Sequence, residues 1–449
     1  MSFRRSIAVG SGRLGAWTLK NVFHRNASTL PGRIALSVDS HVLDELGSRP
    51  SKGNIVVCGT NGKTTTTNLL AHAVQDSGQL VACNWAGANM ATGVTTALLP
   101  STPVEWGVFE NDELSTIHIV PHVKPQTLLL LNLFRDQLDR CGEIDHVQDV
   151  IVQALSASPA TTLLYDADDP LCAGIAVKIK KAGGKVLSFG IGEDLNLPQE
   201  RVRGGAFCQE CGAPLTYAYH HYGQLGDFSC PSCGFERGEL DYAARNVRVG
   251  IDGVSFDVVT RDGSCMGRIH APWGGVYMVY NLLGAFVAAL GAGVDLEQFQ
   301  KTVDAYDPKN GRLQRFSVKG RHVTLNLAKN PTGFNQNLGL LMSDPAPKAI
   351  YIVINDNAND GTDVSWLWDV DFERLGDLKD KVVYVGGLRA NDMQVRLKYA
   401  GIDAQIAGDV AEFLSKTQEL PGDWNAWALT NYSALWPVKA DLEKLGDVQ

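Results

Sequence analysis

Apolar and polar positions divide the chain into segments of two periods. In the first 50 residues apolar side chains recur at helical spacing, at Leu14, Trp17, Leu19, Val22 and Phe23, until Pro31 breaks the pattern. A continuous apolar run over 54–58 then stops at Gly59, which predicts a buried strand, and 64–75 reads as the helix after it. Strand-like runs follow at 106–110, 127–133, 161–165 and 185–189, with helical stretches such as 146–156 between them. This alternation predicts a mostly parallel α/β sheet. Between 204 and 236 the pattern lapses into Gly, Cys, Tyr and His, the mark of an inserted module. Short strand signals and a helix over 280–290 come next. A second α/β rhythm starts near 318, with strands at 323–327, 349–354, 382–385 and 427–430. The expected organisation is a helical lead-in over 1–50, an α/β domain over 51–317 carrying the insert, and a second α/β domain over 318–449.

Composition narrows the class. A chain of 449 residues is too long for one core and suits two or three domains. Lys and Arg number 40 against 49 Asp and Glu, a net charge of −9, so no general polyanion-binding field exists and nucleic acid is not an expected partner. The longest apolar stretch, 282–294, falls short of the roughly 20 residues a membrane helix needs and contains Gly284, Gly291 and Gly293. Arg4 and Arg5 are followed by Gly10, Ser11, Gly12 and Arg13, which interrupt any signal-peptide core. A soluble, cytosolic chain is expected. Of nine cysteines, Cys58, Cys83, Cys141, Cys172 and Cys265 are scattered and read as buried small hydrophobes.

Three segments carry candidate chemistry. Gly59-Thr60-Asn61-Gly62-Lys63-Thr64 lies between a strand and a helix. Glycines there let backbone N–H groups close around phosphate oxygens, the helix N-terminus adds its positive end, and Lys63 supplies a mobile charge. Thr64 is placed to offer its hydroxyl to Mg²⁺. The bland alternative is a Gly-rich turn with an exposed lysine. Second, Cys208, Cys211, Cys230 and Cys233 form C-x₂-C-x₁₈-C-x₂-C. Each pair is a knuckle with two thiolates, and the spacer lets the knuckles face each other as a tetrahedral site. Four sulfurs leave no open position, so a structural Zn²⁺ is expected, with two disulfides as the alternative. Tyr217, Tyr219, His220, His221 and Tyr222 between the knuckles read as packing and surface residues. Third, the acidic loop 355–363 follows a strand and runs into 364–369. Strand C-terminal ends are where α/β domains place functional loops, although a solvated turn with a helix cap has the same composition.

The phosphate loop resembles that of the Mur ligase superfamily, which has a shortened Gly-Thr-x-Gly-Lys-Thr form, and the resemblance continues in order along the chain. Glu110-Asn111-Asp112-Glu113 resembles the superfamily's acidic Mg²⁺ segment, with Glu110 the ligand. Asn132-Leu133-Phe134-Arg135-Asp136-Gln137-Leu138-Asp139 and Asp166-Ala167-Asp168-Asp169-Pro170 resemble two further signatures. Asn281 stands where the superfamily contacts adenine, and Gly311-Arg312 resembles its ATP-phosphate arginine. Asn326-Leu327-Ala328-Lys329-Asn330-Pro331 resembles its hinge. The resemblance implies ATP and Mg²⁺ bound by Gly59, Thr60, Asn61, Gly62, Lys63, Thr64, Glu110, Asn281 and Arg312. It also implies a Mur ligase-like central P-loop ATPase domain with an inserted zinc ribbon and a Rossmann-like C-terminal domain. Three departures stand out. Gln137 replaces a His that helps hold a second Mg²⁺, Met278 stands where an Asn is frequent, and Lys329 replaces the hinge His.

With the four-cysteine insert and the acidic loop added, the chain resembles one branch of that superfamily, the synthase subunits of lipid II isoglutaminyl synthases. The resemblance implies an ATP-dependent carbon–nitrogen ligase that amidates the α-carboxylate of D-glutamate in a lipid II stem peptide at the inner membrane face. Ammonia would come from a GatD-type glutaminase in a heterodimer. Asp363 would complete that partner's Cys–His pair, with Asp356 and Asp360 next in line. No Cys–His glutaminase site is evident in the chain itself, since Cys58 lies inside a strand. The alternatives are a stand-alone Mur-type or folylpolyglutamate-type amino-acid ligase and a non-catalytic scaffold.

Overall fold

The computed structural model describes residues 3–134, 144–198, 206–307, 313–358 and 360–448. The lead-in forms three helices, Phe3–Asn21, Leu30–Val38 and Val42–Leu46. Pro31 begins the second of these rather than breaking a helix: it sits in the first turn, where its missing N–H has no partner to lose.

The first six strands are β1 (Gly53–Cys58), β2 (Val81–Cys83), β3 (Trp106–Glu110), β4 (Thr127–Leu130), β5 (Thr162–Asp166) and β6 (Lys185–Ile191). A small hairpin, β7 (Thr216–Tyr222) with β8 (Leu225–Ser229), stands apart as its own two-stranded sheet. Then β9 (Tyr242–Val249), β10 (Val254–Thr260) and β11 (Cys265–Ala271) complete a nine-stranded sheet of order β11-β10-β9-β6-β5-β4-β1-β3-β2. Its pairings are parallel from β2 to β9 and antiparallel from β9 to β11.

Successive residues of β1 face opposite cores. Ile55 and Val57 join one cluster with the helices Lys63–Asp76 and Val276–Gly291, while Val56 and Cys58 join another that reaches the lead-in helices. Burial on both faces explains the unbroken apolar run. Helix Val276–Gly291 lies close on the sheet because Gly284 has no side chain: a Cβ there would already touch Phe189, Leu129 and Leu131.

The second sheet has seven strands: β12 (Gln314–Val318), β13 (Arg321–Leu327), β14 (Lys348–Val353), β15 (Lys381–Gly386), β16 (Gln405–Ile406), β17 (Asn425–Thr430) and β18 (Asp447–Val448). Their order is β16-β15-β14-β17-β13-β12-β18, again with a core on each face. In the first sheet β1 lies between β3 and β4, so the chain leaves β1 toward one edge and later returns to its other side. The loop after β1 therefore opens at a topological switch point, where open α/β sheets bind ligands.

Candidate active site

Gly59 and Gly62 take φ values of 135° and 88°, a region L side chains avoid. Gly62 precedes the helix Lys63–Asp76, and a Cβ there would collide with the Asn281 amide. Asn281, buried on helix Val276–Gly291, thus sits directly behind the loop. Asn132 fastens the other side. Its Oδ1 accepts from the Asn61 N–H at 2.8 Å, its Nδ2 donates to the Asn61 carbonyl at 3.1 Å, and its carbonyl accepts from the Thr60 N–H at 2.9 Å. The Thr60 hydroxyl accepts from the Phe134 N–H at 2.9 Å. From the second sheet, Asn330 donates Nδ2 to Asn61 Oδ1 at 3.0 Å, while its own Oδ1 caps helix Pro331–Ser343 through the Gly333 N–H at 2.8 Å. One loop residue therefore ties the two sheets together.

The Lys63 side chain is buried. Its ammonium donates to the Gly59 carbonyl, to the Thr60 carbonyl at 3.3 Å and to Glu113 Oε2 at 3.3 Å. Burial presses it toward neutrality, but Glu113, Glu110 and Asp112 outweigh that and raise its pKa. Burial likewise disfavours the Glu113 carboxylate, yet Lys63 and Lys329 hold it below its usual range. Both groups are charged at neutral pH.

Glu110 ends β3 in register with Val57, just ahead of the phosphate loop. Asn84 brackets its backbone, donating to its carbonyl at 2.9 Å and accepting from its N–H at 2.8 Å. Its Oε1 accepts from Asn89 at 3.3 Å, whereas Oε2 is buried with no hydrogen-bond partner among the described residues. A Cβ on Gly87 would meet Glu110 Oε2 at 3.2 Å and Thr64 Oγ1 at 3.4 Å, so carboxylate and hydroxyl flank one gap. A hard divalent cation takes such oxygens, and an orphaned carboxylate oxygen is a poor arrangement without one. The residues fit Mg²⁺.

Beside the loop, Asp166, Asp168 and Asp169 are all fully buried. Asp169 caps helix Pro170–Lys181 through the Leu171 N–H at 2.9 Å and accepts from the Leu133 N–H at 2.8 Å. Burial pushes its pKa up to about 6. Asp168 accepts from Arg237 Nη1 at 3.0 Å, the Tyr280 hydroxyl at 2.7 Å and the Ile191 N–H at 2.9 Å. Burial pushes its pKa up too, but His221, Arg237 and Tyr280 prevail and hold it below the usual carboxylate range. His221 Nδ1 lies 2.7 Å from the Tyr280 hydroxyl. His221 thus packs inside and joins the insert to Tyr280, the residue preceding Asn281, while Arg237, just past the insert, holds Asp168.

The four cysteine sulfurs lie within 4.8 Å of one another. Gly212 and Gly234 take φ values of 73° and 75°, which lets their N–H groups turn back to the carbonyls of Cys208 and Cys230. Cys208 and Cys230 are buried, and Cys211 and Cys233 exposed. Two knuckles that converge this closely can hold a metal ion. Among the scattered cysteines, Cys58, Cys83 and Cys172 are buried as expected, but Cys265 is exposed. Burial pushes the Cys58 thiol well up, which disfavours a nucleophile there.

The acidic loop follows the C-terminal end of β14. Asp360 is buried and accepts from the N–H and hydroxyl of Ser433, 2.8 Å to the former, so it clamps the loop to helix Tyr432–Leu445. Asp356 pairs with Arg389 at 3.0 Å. Asp363 is exposed and accepts from the Ser365 N–H at 2.8 Å and the Ser365 hydroxyl at 2.9 Å, just ahead of the short helix Ser365–Asp369. Arg312, with Gly311, Asp136, and the Gln137 of the second-metal expectation lie outside the described residues, as does Cys141.

Two family models match, "Mur ligase middle domain" over residues 57–212 and "MurT ligase C-terminal" over 327–435. A protein of Staphylococcus aureus strain N315, "Lipid II isoglutaminyl synthase (glutamine-hydrolyzing) subunit MurT", is 33% identical over 431 residues, covering 94% of each chain. The chain belongs to the MurT family. The MurT subunit of Streptococcus pneumoniae strain ATCC BAA-255 / R6 is 30% identical over 453 residues, covering 97% of this chain and 96% of that one. Solved structures share the Mur ligase fold at lower identity. A pseudomurein peptide ligase type C from Methanothermus fervidus superposes with a TM-score of 0.68 at 19% identity, covering 89% of this chain and 80% of that one. MurF from Acinetobacter baumannii gives 0.67 at 17%, covering 92% and 80%. The Mur ligase fold implies ATP and Mg²⁺, and the MurT subunit name implies a partner subunit. Among the described residues no helix is long and apolar enough to cross a membrane.

Sequence reasoning did not foresee three features of this MurT-family site: the Asn61–Asn330 bridge, Glu113 as the Lys63 counter-ion, and the His221–Tyr280–Asp168 chain. Each joins residues from separate parts of the sequence, 269 positions apart for Asn61 and Asn330. Glu113 alone left a signal, as one of three carboxylates within a four-residue segment.

Proposed function

We propose that this chain is the synthase subunit of a glutamine-dependent amidotransferase that converts the D-glutamate of a lipid II stem peptide to D-isoglutamine. The observation that carries the reading is the joint presence of a complete phosphate loop and an exposed Asp363 on a chain related to MurT subunits over nearly its whole length. In the reaction, an α-carboxylate oxygen attacks the γ-phosphorus of ATP and ADP leaves. Ammonia then adds to the acyl carbon, phosphate departs, and an amide remains.

The N–H groups around Gly59–Thr64 cradle the phosphates, and Lys63 turns from the loop carbonyls toward the transferring group, whose spread charge needs cations. Lys329 and Arg312 belong to the same cation set. Asn281, held behind Gly62, contacts the adenine. Glu110 and Thr64 are the residues that would hold Mg²⁺, which neutralises and orients the triphosphate when bound. The four thiolates would hold a structural Zn²⁺ that stiffens the insert, and through His221 and Arg237 the wall beside the loop.

The partner is a GatD-type glutaminase in a heterodimer. Asp363, exposed on the acidic loop, orients and charge-stabilises the histidine of its Cys–His pair, whereas Asp360 is buried against Ser433. On this reading the functional units span 1–50, 51–317 and 318–449, and the subunit works at the cytoplasmic face of the membrane that anchors its substrate.

The test reconstitutes the pair with lipid II, ATP and either glutamine or ammonium, following phosphate release and amide formation. Both donors should support amidation coupled to ATP cleavage, and Lys63→Ala should abolish both readouts. Amide formation without triphosphate cleavage refutes the reading, and consumption of a free amino acid instead of ammonia favours the stand-alone ligase.

A further inference from the structure

The helix Phe3–Asn21 buries its small residues and exposes its large ones. Ala8, Val9 and Gly12 face the body, and a Cβ on Gly12 would strike Leu99 and the Pro31 carbonyl. At about 100° per residue, Phe3, Ile7, Leu14 and Trp17 fall together on the opposite side. Their exposures are 84%, 47%, 64% and 57%. The same turn angle sets Arg4 along one flank of this stripe and Arg13 and Lys20 along the other. Arg4 and Arg13 each donate Nε to a backbone carbonyl of the body, of Val38 at 2.7 Å and Leu99 at 2.6 Å, which fixes the orientation of the helix. Both remain exposed, and among the described residues these bonds use one of the five guanidinium donors of each. Residues 1–38 contain six Lys and Arg and no Asp or Glu, in a chain whose net charge is −9.

We propose that this stripe is a membrane-docking site: the helix lies in the interface of an anionic bilayer, with its apolar side chains at the headgroup–acyl boundary and its basic flanks on the lipid phosphates. An in-plane helix needs an apolar face and a cationic rim, and a Trp suits the interfacial depth. A local positive segment on an acidic protein directs that one face, and not the rest of the surface, to an anionic layer. The inference rests on the membrane-face reading above and deepens it by naming the surface that makes contact.

The test is flotation of the full chain with phosphatidylcholine vesicles containing or lacking phosphatidylglycerol, with oligomeric state measured by sedimentation. The wild type should float with the anionic vesicles, less so in high salt, and poorly with neutral ones. Leu14→Glu/Trp17→Glu should lower partitioning at least about tenfold, and Lys20→Glu should lower it a few-fold, with melting temperatures unchanged because these side chains are exposed. Absence of wild-type flotation, or undiminished flotation of the double variant, overturns the proposal. So does a wild-type dimer without vesicle binding that the double variant dissociates, since the stripe then belongs to a second copy. Amidation of a soluble stem-peptide analogue, followed in parallel, separates the two readings: flotation without amidation removes the reaction, and amidation without flotation removes this site.

Discussion

Replacing Glu110 by Gln removes one negative charge with almost no change of volume. The native Oε2 is buried without a hydrogen-bond partner among the described residues, whereas Oε1 accepts from Asn89 and would continue to do so as an amide oxygen. Lys63 keeps its direct partners, Glu113 and the Gly59 and Thr60 carbonyls. The amide nitrogen that replaces Oε2 is also left unpaired, but an orphaned buried group costs about 1–3 kcal/mol when neutral and more when charged, so the gain comes from removing the charge. Lost attraction to Lys63 offsets part of the gain, leaving a stabilisation of about 1 kcal/mol for the metal-free variant. For a domain of this size that raises the melting midpoint by roughly 2–4 °C. The same change removes the carboxylate that fits Mg²⁺. Calorimetry with and without Mg²⁺ and nucleotide separates the effects. Saturation near a hundredfold over Kd stabilises the wild type by about 2.7 kcal/mol, and Glu110→Gln should lose most of the Mg²⁺-dependent part. Turnover of ATP should fall about 10²–10³-fold. A metal-free variant that melts below the wild type, or one that keeps the full Mg²⁺ increment, refutes the argument that this oxygen awaits a cation.

Asp363→Asn should leave ammonia-driven amidation and the melting temperature unchanged, since an Asn still accepts from the Ser365 N–H, while glutamine hydrolysis by the reconstituted pair falls about 10²–10⁴-fold. Arg237→Met strips Asp168 of its cation in a fully buried site and should cost about 3–5 kcal/mol in urea unfolding; adding Asp168→Asn should restore part of it. Burial raises Asp169 from 3.8 to about 6, so its contribution to stability is fully present below the lower value and is lost as pH rises through the higher one. In thermal melts across that window, the stability of Asp169→Asn relative to wild type should rise with pH. Metal analysis should find one zinc per chain, absent from Cys208→Ser, whose insert then becomes protease-sensitive.

The runs at 54–58, 127–130 and 349–353 announce strands buried on both faces, because burial on both sides removes alternation and leaves a continuous apolar signature. The phosphate loop and the cysteine knuckles are equally legible, since each is a short segment whose glycines and ligands meet by local geometry. The expected strand over 127–133 overshoots because Leu131 to Phe134 leave the sheet to brace the phosphate loop, although Leu131, Leu133 and Phe134 remain apolar and buried. Strands β9–β11 show only as short strand signals because this antiparallel edge carries exposed Arg245, Arg248 and Arg268 among its apolar positions. The recurrence at Leu14 and Trp17 correctly marks a helix, but a moment has no external reference, so it cannot state that the apolar side faces outward. That direction comes from Gly12 and Ala8, small enough to seat the helix against the body by their own face. Likewise the Lys63–Glu113 pair, the Asn61–Asn330 bridge and the His221–Tyr280–Asp168 chain exist only once the sheets and insert have packed. Local pattern reports how a segment of a few turns lowers its own free energy; which charged and polar groups share a buried site depends on contacts that close loops of tens to hundreds of residues, and no window along the chain contains both partners.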